Sequence, residues 1–148
     1  MIAETKVLLE KHARRARILI ADDHHLIMAE LVSLLGDRVD IVGTVSDGRS
    51  LVEAAVRLQP DVVITDISMP GMNGIDSLRS LKASGVVTKV IFLTMHSDSE
   101  LVNEALRGGA SGFVLKHAAG EDLMTAIDEA LLGRVYVSPE VAGGGERG

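Results

Sequence analysis

The chain has 148 residues, 21 acidic and 15 basic, with a formal charge of −6 and a hydrophobic fraction of 47%. This is the size of one ordinary domain; it is too apolar for an intrinsically disordered chain and too acidic to bind nucleic acid well by itself. Zero cysteines exclude disulfide scaffolds, thiol catalysis and cysteine metal sites, and agree with a reducing, cytoplasmic setting.

Near the N-terminus, apolar residues come in short bursts, Val7 to Leu9 and Ile18 to Ala21, separated by the basic stretch Lys11 to Arg17. No continuous run has the length of a secretory signal or of a membrane span, so no membrane association is expected. Residues 1–15 read as an extension, helical from about Glu4 to Ala16, serving either as a solvated lead-in or as a docking or dimerising arm. A domain is expected over 16–134. Residues 135–148, ending in Gly143-Gly144-Gly145-Glu146-Arg147-Gly148, read as a flexible tail or the start of a linker.

From Ile18 the pattern becomes regular. Ile18 to Ala21 is a short apolar run ending at Asp22-Asp23. Leu26 to Leu35 has helical spacing, with Leu26, Ile27, Leu31, Leu34 and Leu35 on the buried side. Val39 to Val45 is rich in strand formers. Leu51 to Leu58 is a helix closed by Gln59-Pro60, because proline disfavours helical geometry in the residue before it. Val62 to Thr65 is a third apolar run, ending at Asp66. Met69 to Gly74 is a turn cluster. Ile75, Leu78 and Leu81 mark a short helix, and Val90 to Leu93 a fourth strand ending at Thr94. Glu100 to Arg107 is helical up to Gly108-Gly109. Gly112 to Leu115 is a fifth strand ending at Lys116. Leu123, Ile127, Ala130 and Leu131 are spaced for a last helix, stopped by Gly133. Strands that read as continuous apolar runs are buried on both faces, and helices between them supply the crossovers. The expected fold is therefore an α/β domain, a doubly wound, five-stranded parallel sheet flanked by five helices.

Polar residues stand at the C-terminal ends of four of these strands: Asp22 and Asp23, Asp66, Thr94, and Lys116. In an open α/β sheet, ligands bind in the crevice beyond those ends. Three carboxylates crowded together repel, and Lys116 offsets only part of that. Hard divalent cations relieve it, so Mg²⁺, or Mn²⁺ as a substitute, is the expected cofactor. A cation there would also neutralise an incoming phosphoryl group. Asp66, directly after the middle strand, is the candidate nucleophile for an acyl phosphate. Lys116 would pair with one phosphoryl oxygen, and Thr94 would donate its hydroxyl to another. Taken singly, each residue has an ordinary reading: Asp22, Asp23 or Thr94 as a helix cap, Lys116 as a surface lysine, Phe113 as core. The combination is what points to chemistry.

The runs Ile20-Ala21-Asp22-Asp23-His24, Val63 to Gly74, Leu93-Thr94, and Gly109-Ala110 through Lys116 resemble the receiver domain of bacterial two-component response regulators. The resemblance covers about Arg17 to Arg134. It implies a flavodoxin-like sheet of order 2-1-3-4-5. It also implies that Asp66 accepts a phosphoryl group from a phosphohistidine of a sensor histidine kinase. Mg²⁺ would be held by Asp23, Asp66 and the backbone carbonyl of Ser68, with Asp22 assisting through water. Thr94 and Lys116 would bind the phosphoryl oxygens. Thr94 and Phe113 would form the switch, the aromatic ring turning inward; Phe113 stands where some relatives carry tyrosine and lacks its hydroxyl. Such a domain takes part in its own phosphorylation and dephosphorylation and is not a turnover enzyme.

Ser68 and His96, each two residues beyond a key site residue, flank the path of the hydrolytic water. Neither is an obvious general base, so slow self-dephosphorylation is expected, to be read from the decay of phosphorylated protein. The wording Ala21-Asp22-Asp23-His24, Thr94-Met95-His96, Gly109 to Phe113, and Tyr136-Val137-Ser138-Pro139-Glu140 resembles the NarL/LuxR-type subgroup. That resemblance implies control of transcription through a helix-turn-helix domain outside this chain, with no direct DNA contact from these residues, and a homodimer on phosphorylation. The alternatives are a single-domain regulator acting by protein contacts and a non-phosphorylated receiver-like interaction module. A haloacid-dehalogenase-like phosphatase needs a second aspartate where Ser68 stands. A flavodoxin needs a phosphate-cradling loop where Asp22-Asp23 stand.

Overall fold

The computed structural model describes residues 15–69, 71–95 and 99–139. The expected N-terminal helix falls almost wholly outside these residues, as does the tail from Glu140. In chain order the elements are β1 (Arg17–Ala21), α1 (His25–Leu35), β2 (Asp40–Val45), α2 (Gly48–Leu58), β3 (Val62–Asp66), α3 (Gly74–Ala83), β4 (Lys89–Thr94), α4 (Ser99–Arg107), β5 (Gly112–Leu115), α5 (Ala119–Leu131) and β6 (Tyr136–Val137). The six strands pair in parallel in the order β2-β1-β3-β4-β5-β6. The doubly wound fold and the implied order 2-1-3-4-5 hold, with one short strand added at the edge.

The strands are apolar throughout because both faces are covered. Alternate residues point to opposite sides of a pleated strand. Leu19, Val63, Phe92 and Phe113 enter one core, with Leu51 and Ala55 of α2, Leu78 and Leu81 of α3, and Ala105 of α4. Ile18, Ile20, Ile64, Ile91, Leu93 and Val114 enter the other, with Leu31 and Leu35 of α1 and Leu123, Ala126 and Ile127 of α5.

Two helix faces differ from the expected ones. Leu26 is 82% exposed rather than buried, because at about 100° per residue it cannot share a face with both Leu31 and Leu35. Leu131 is likewise exposed, while Leu123, Ile127 and Ala130 are buried. Helix α2 starts earlier than its apolar spacing indicated. Asp47 caps it, accepting from the Ser50 amide at 2.8 Å, which satisfies an orphan donor of the first turn. Its end is where Pro60 required it: Gln59 turns left-handed with φ 49°.

The C-terminal reading needs one correction. Residues 136–138 are not tail. The Tyr136 amide donates to the Ser111 carbonyl at 3.1 Å, the Ser138 amide to the Phe113 carbonyl at 2.9 Å, and Ser138 is fully buried. The exposed edge of β5 offers unpaired backbone groups. A two-residue strand fills part of it, too short to register as a hydrophobic pattern.

Candidate functional site

Each strand delivers its polar residue to the same end of the sheet. After β1, the Asp22 amide bonds the Val45 carbonyl of β2 at 3.0 Å, which fixes where its side chain starts. In register, Asp66 lies beside Leu93 and Thr94 beside Leu115, so the ends of β3, β4 and β5 are adjacent. Below them the Asp66–Gly74 turn is drawn tight, the Gly74 amide bonding the Ile67 carbonyl at 2.9 Å. A Cβ on Gly74 would lie 2.7 Å from the Phe92 ring and 2.9 Å from Ile67 Cα, so only glycine lets α3 begin directly under the acidic strand end. Asn73 caps α3, accepting from the Asp76 amide at 2.9 Å.

Lys116 reaches back across the cleft. Its Nζ lies 2.8 Å from Asp66 Oδ2 and 3.1 Å from Asp22 Oδ2. The side chains of Lys116, Asp22 and Asp66 are only 6%, 0% and 8% exposed. Burial by itself lowers the ammonium pKa, but the hydrogen bond to Asp66 and the close negative charges of Asp66 and Asp22 outweigh it and hold the group above its ordinary 10.5. Lys116 is therefore a fixed cation at neutral pH. The second oxygen of Asp66, Oδ1, accepts from the Ser68 amide at 3.0 Å. Asp23 is more open, its side chain 32% exposed.

One ammonium does not balance three carboxylates. Oδ2 of Asp22 and Oδ1 of Asp23 are buried and accept no aligned hydrogen bond, though Lys116 Nζ and His24 Nδ1 stand at ion-pair distance, 3.1 and 3.2 Å. Buried acceptors left in this state are costly. Ligand atoms of Asp22, Asp23, His24 and Asp66 all lie within 4.8 Å of one another. The carboxylates are the hard oxygen donors that a magnesium-like cation takes, so the residues present fit such an ion. Asp22, Asp23, Asp66 and Lys116 are thus brought into one cluster at the strand ends.

The remaining expectations fare differently. Thr94 is buried at the end of β4 and, by strand alternation, shares the face of Phe92. Phe113 is wholly inside, its ring 6.3 Å from that of Phe92 and tilted by 56°; both the switched position and the plain core reading put it there. Ser68 is exposed and contributes its amide. His96 lies outside the described residues. His24 had no assigned role, yet its amide and its Nδ1 both bond Asp22 Oδ1, at 2.9 and 3.1 Å. The only signal for it was its place directly after two aspartates.

The chain matches the model of the response regulator receiver domain over residues 18–128. It is 35% identical over 128 residues to the oxygen regulatory protein NreC of Staphylococcus carnosus, covering 84% of this chain and 59% of that protein. It is 34% identical over 126 residues to the nitrate/nitrite response regulator NarL of Escherichia coli K12, covering 83% and 58%. The chain therefore spans somewhat over half the length of these curated relatives. Among solved structures it resembles the isolated REC domain of RcsB from Salmonella enterica serovar Typhimurium with the phosphomimetic BeF3−, at 28% identity and TM-score 0.79, covering 87% of this chain and 97% of that one. It also resembles a LuxR-family two-component response regulator from Aurantimonas sp. SI85-9A1, at 28% identity and TM-score 0.85, covering 90% and 96%. Strand order, strand-end residues and relatives agree: the chain belongs to the response regulator receiver domain family, in its NarL/LuxR-type branch.

Proposed function

We propose that this chain is the phosphoacceptor module of a two-component system, with Asp66 as the phosphorylated residue. The observation that carries the reading is the Lys116 ammonium bridging Asp66 and Asp22 inside a four-ligand acidic cluster. A carboxylate oxygen of Asp66 attacks the phosphorus of a phosphohistidine on a sensor histidine kinase. The new P–O bond forms as the P–N bond breaks, and the departing ring takes a proton from solvent to leave as neutral imidazole. Mg²⁺, or Mn²⁺ in its place, when held by Asp23, Asp66 and the Ser68 carbonyl with Asp22 through water, supplies neutralisation of the phosphoryl charge.

This chain's own groups do the rest. Lys116 transfers its contact from Asp66 Oδ2 to a phosphoryl oxygen, and the Thr94 hydroxyl donates to another. Thr94 shares its sheet face with Phe113, so its movement is felt by β5 and the helices beside it. Ser68 and His96 govern access of water and so the lifetime of the phosphoryl group. The output is control of transcription, through a helix-turn-helix domain outside this chain and a homodimer formed on phosphorylation. The similarity to NarL supports that part.

The test adds Mg²⁺ with beryllofluoride, and separately acetyl phosphate, to the purified chain. A change in the NMR spectrum around Asp66 and Lys116 and a phosphoryl mass increment are expected, and both disappear in Asp66→Ala. A response that survives in that variant, or none with small donors and a kinase alike, overturns the reading.

A further inference from the structure

The sheet does not simply stop at β6. In a continuing parallel ladder the Leu115 amide would bond the backbone carbonyl of residue 138. It bonds the side chain instead, donating to Ser138 Oγ at 3.2 Å. Ser138 Oγ in turn donates to Asp122 Oδ2 at 3.0 Å, and the Tyr136 hydroxyl donates to Asp122 Oδ1 at 3.1 Å. Burial, the hydrogen bond to Asp122 and that carboxylate's charge all push the Tyr136 pKa up, so it stays a donor. Asp122 lies in the first turn of α5, where a carboxylate is favoured by the helix dipole.

These bonds bracket a particular stretch of chain. Residues Lys116–Ala118 form a single 3-10 turn between β5 and α5 with no side-chain cap of its own. Leu115 precedes it and Asp122 follows it, so the Leu115–Ser138–Asp122 relay spans the turn from end to end. Lys116 carries its ammonium on a flexible four-carbon stem. Where that ammonium sits against Asp66 depends on where the peptide before it is held. The same Ser138 is fully buried and bonds the Phe113 carbonyl through its own amide.

We propose that Ser138 and Asp122 clasp the β5–α5 turn, positioning Lys116 for the phosphoryl site and coupling that site to the chain leaving β6. The inference rests on the receiver reading above. Ser138 and Asp122 are positioning residues, since they act through the Leu115–Lys116 peptide. Coupling of this kind is reciprocal: whatever draws Lys116 toward a phosphoryl group also changes the hold on Tyr136 to Ser138.

The experiment measures Mg²⁺-dependent beryllofluoride affinity and amide hydrogen exchange. Ser138→Ala should weaken the affinity about fivefold and speed exchange at Leu115. Tyr136→Phe, which removes only the other bond to Asp122, should bind within about twofold of wild type. Ser138→Thr, which keeps the hydroxyl, should recover the affinity. In the wild-type protein, which needs no variant to fold, beryllofluoride should slow exchange of the Tyr136 and Ser138 amides. Wild-type affinity in Ser138→Ala, an equal loss in Tyr136→Phe, or unchanged exchange at 136–138 overturns the clasp alone. A wild-type protein that ignores beryllofluoride overturns the phosphoacceptor reading with it.

Discussion

From Ile18 to Ala21, Val62 to Ile64 and Val90 to Leu93 the strands bury only apolar side chains. One or two residues further along, the same strands bury Asp22, Asp66 and Thr94. The interior gains stability from dispersion and the removal of apolar area from water. The strand ends bring like charges together and leave two carboxylate oxygens without aligned hydrogen bonds, which costs stability. The contrast teaches that the rigid interior holds the crowded end in place, and that the crowding is of the kind a divalent cation relieves.

The largest expected effect comes from the interior. Phe92 packs on Phe113 and under the Gly74 turn, so Phe92→Ala should lower unfolding free energy by about 3–5 kcal/mol in urea titration. A loss below about 1 kcal/mol would show that the interior does not support the end in this way. Next comes Lys116→Met, which leaves Asp22 and Asp66 buried without their cation. In chelator it should cost about 3 kcal/mol, and saturating Mg²⁺ should restore much of the loss; no restoration would break the link between crowding and metal. The smallest effect belongs to the rim. Asn73→Ala removes the α3 cap and should cost about 1 kcal/mol by thermal or urea unfolding, with beryllofluoride affinity little changed. An affinity loss of about tenfold or more would mean that the turn, not the charge cluster alone, governs the site.

Much of this was legible along the chain. The five apolar runs marked the interior strands because burial on both faces leaves no room for alternation. Asp22, Asp66, Thr94 and Lys116 could be picked out because each directly follows such a run. Other features left no pattern. The apolar spacing places Leu26 on a buried face, which helix geometry does not allow. Asp47 as a cap was missed because one polar residue before a helix has many readings. His24 differs from an ordinary loop histidine only by where its ring lies. Tyr136 to Ser138 looks like tail in the sequence because two residues cannot display a period.

The amino-acid order alone thus determined that the residues following the apolar runs lie near one another: hydrophobic periodicity sets the layers, and the layers send every strand end to one side of the sheet. Only the tertiary structure decided how they meet. The contacts of Lys116 with two carboxylates and the reach of Ser138 to Leu115 and Asp122 run across 16 to 94 positions, and the Asp22 and Asp23 oxygens without aligned hydrogen bonds are matters of single atoms. Periodicity carries no information about them, because their directions come from packing on both sides of the sheet rather than from local sequence.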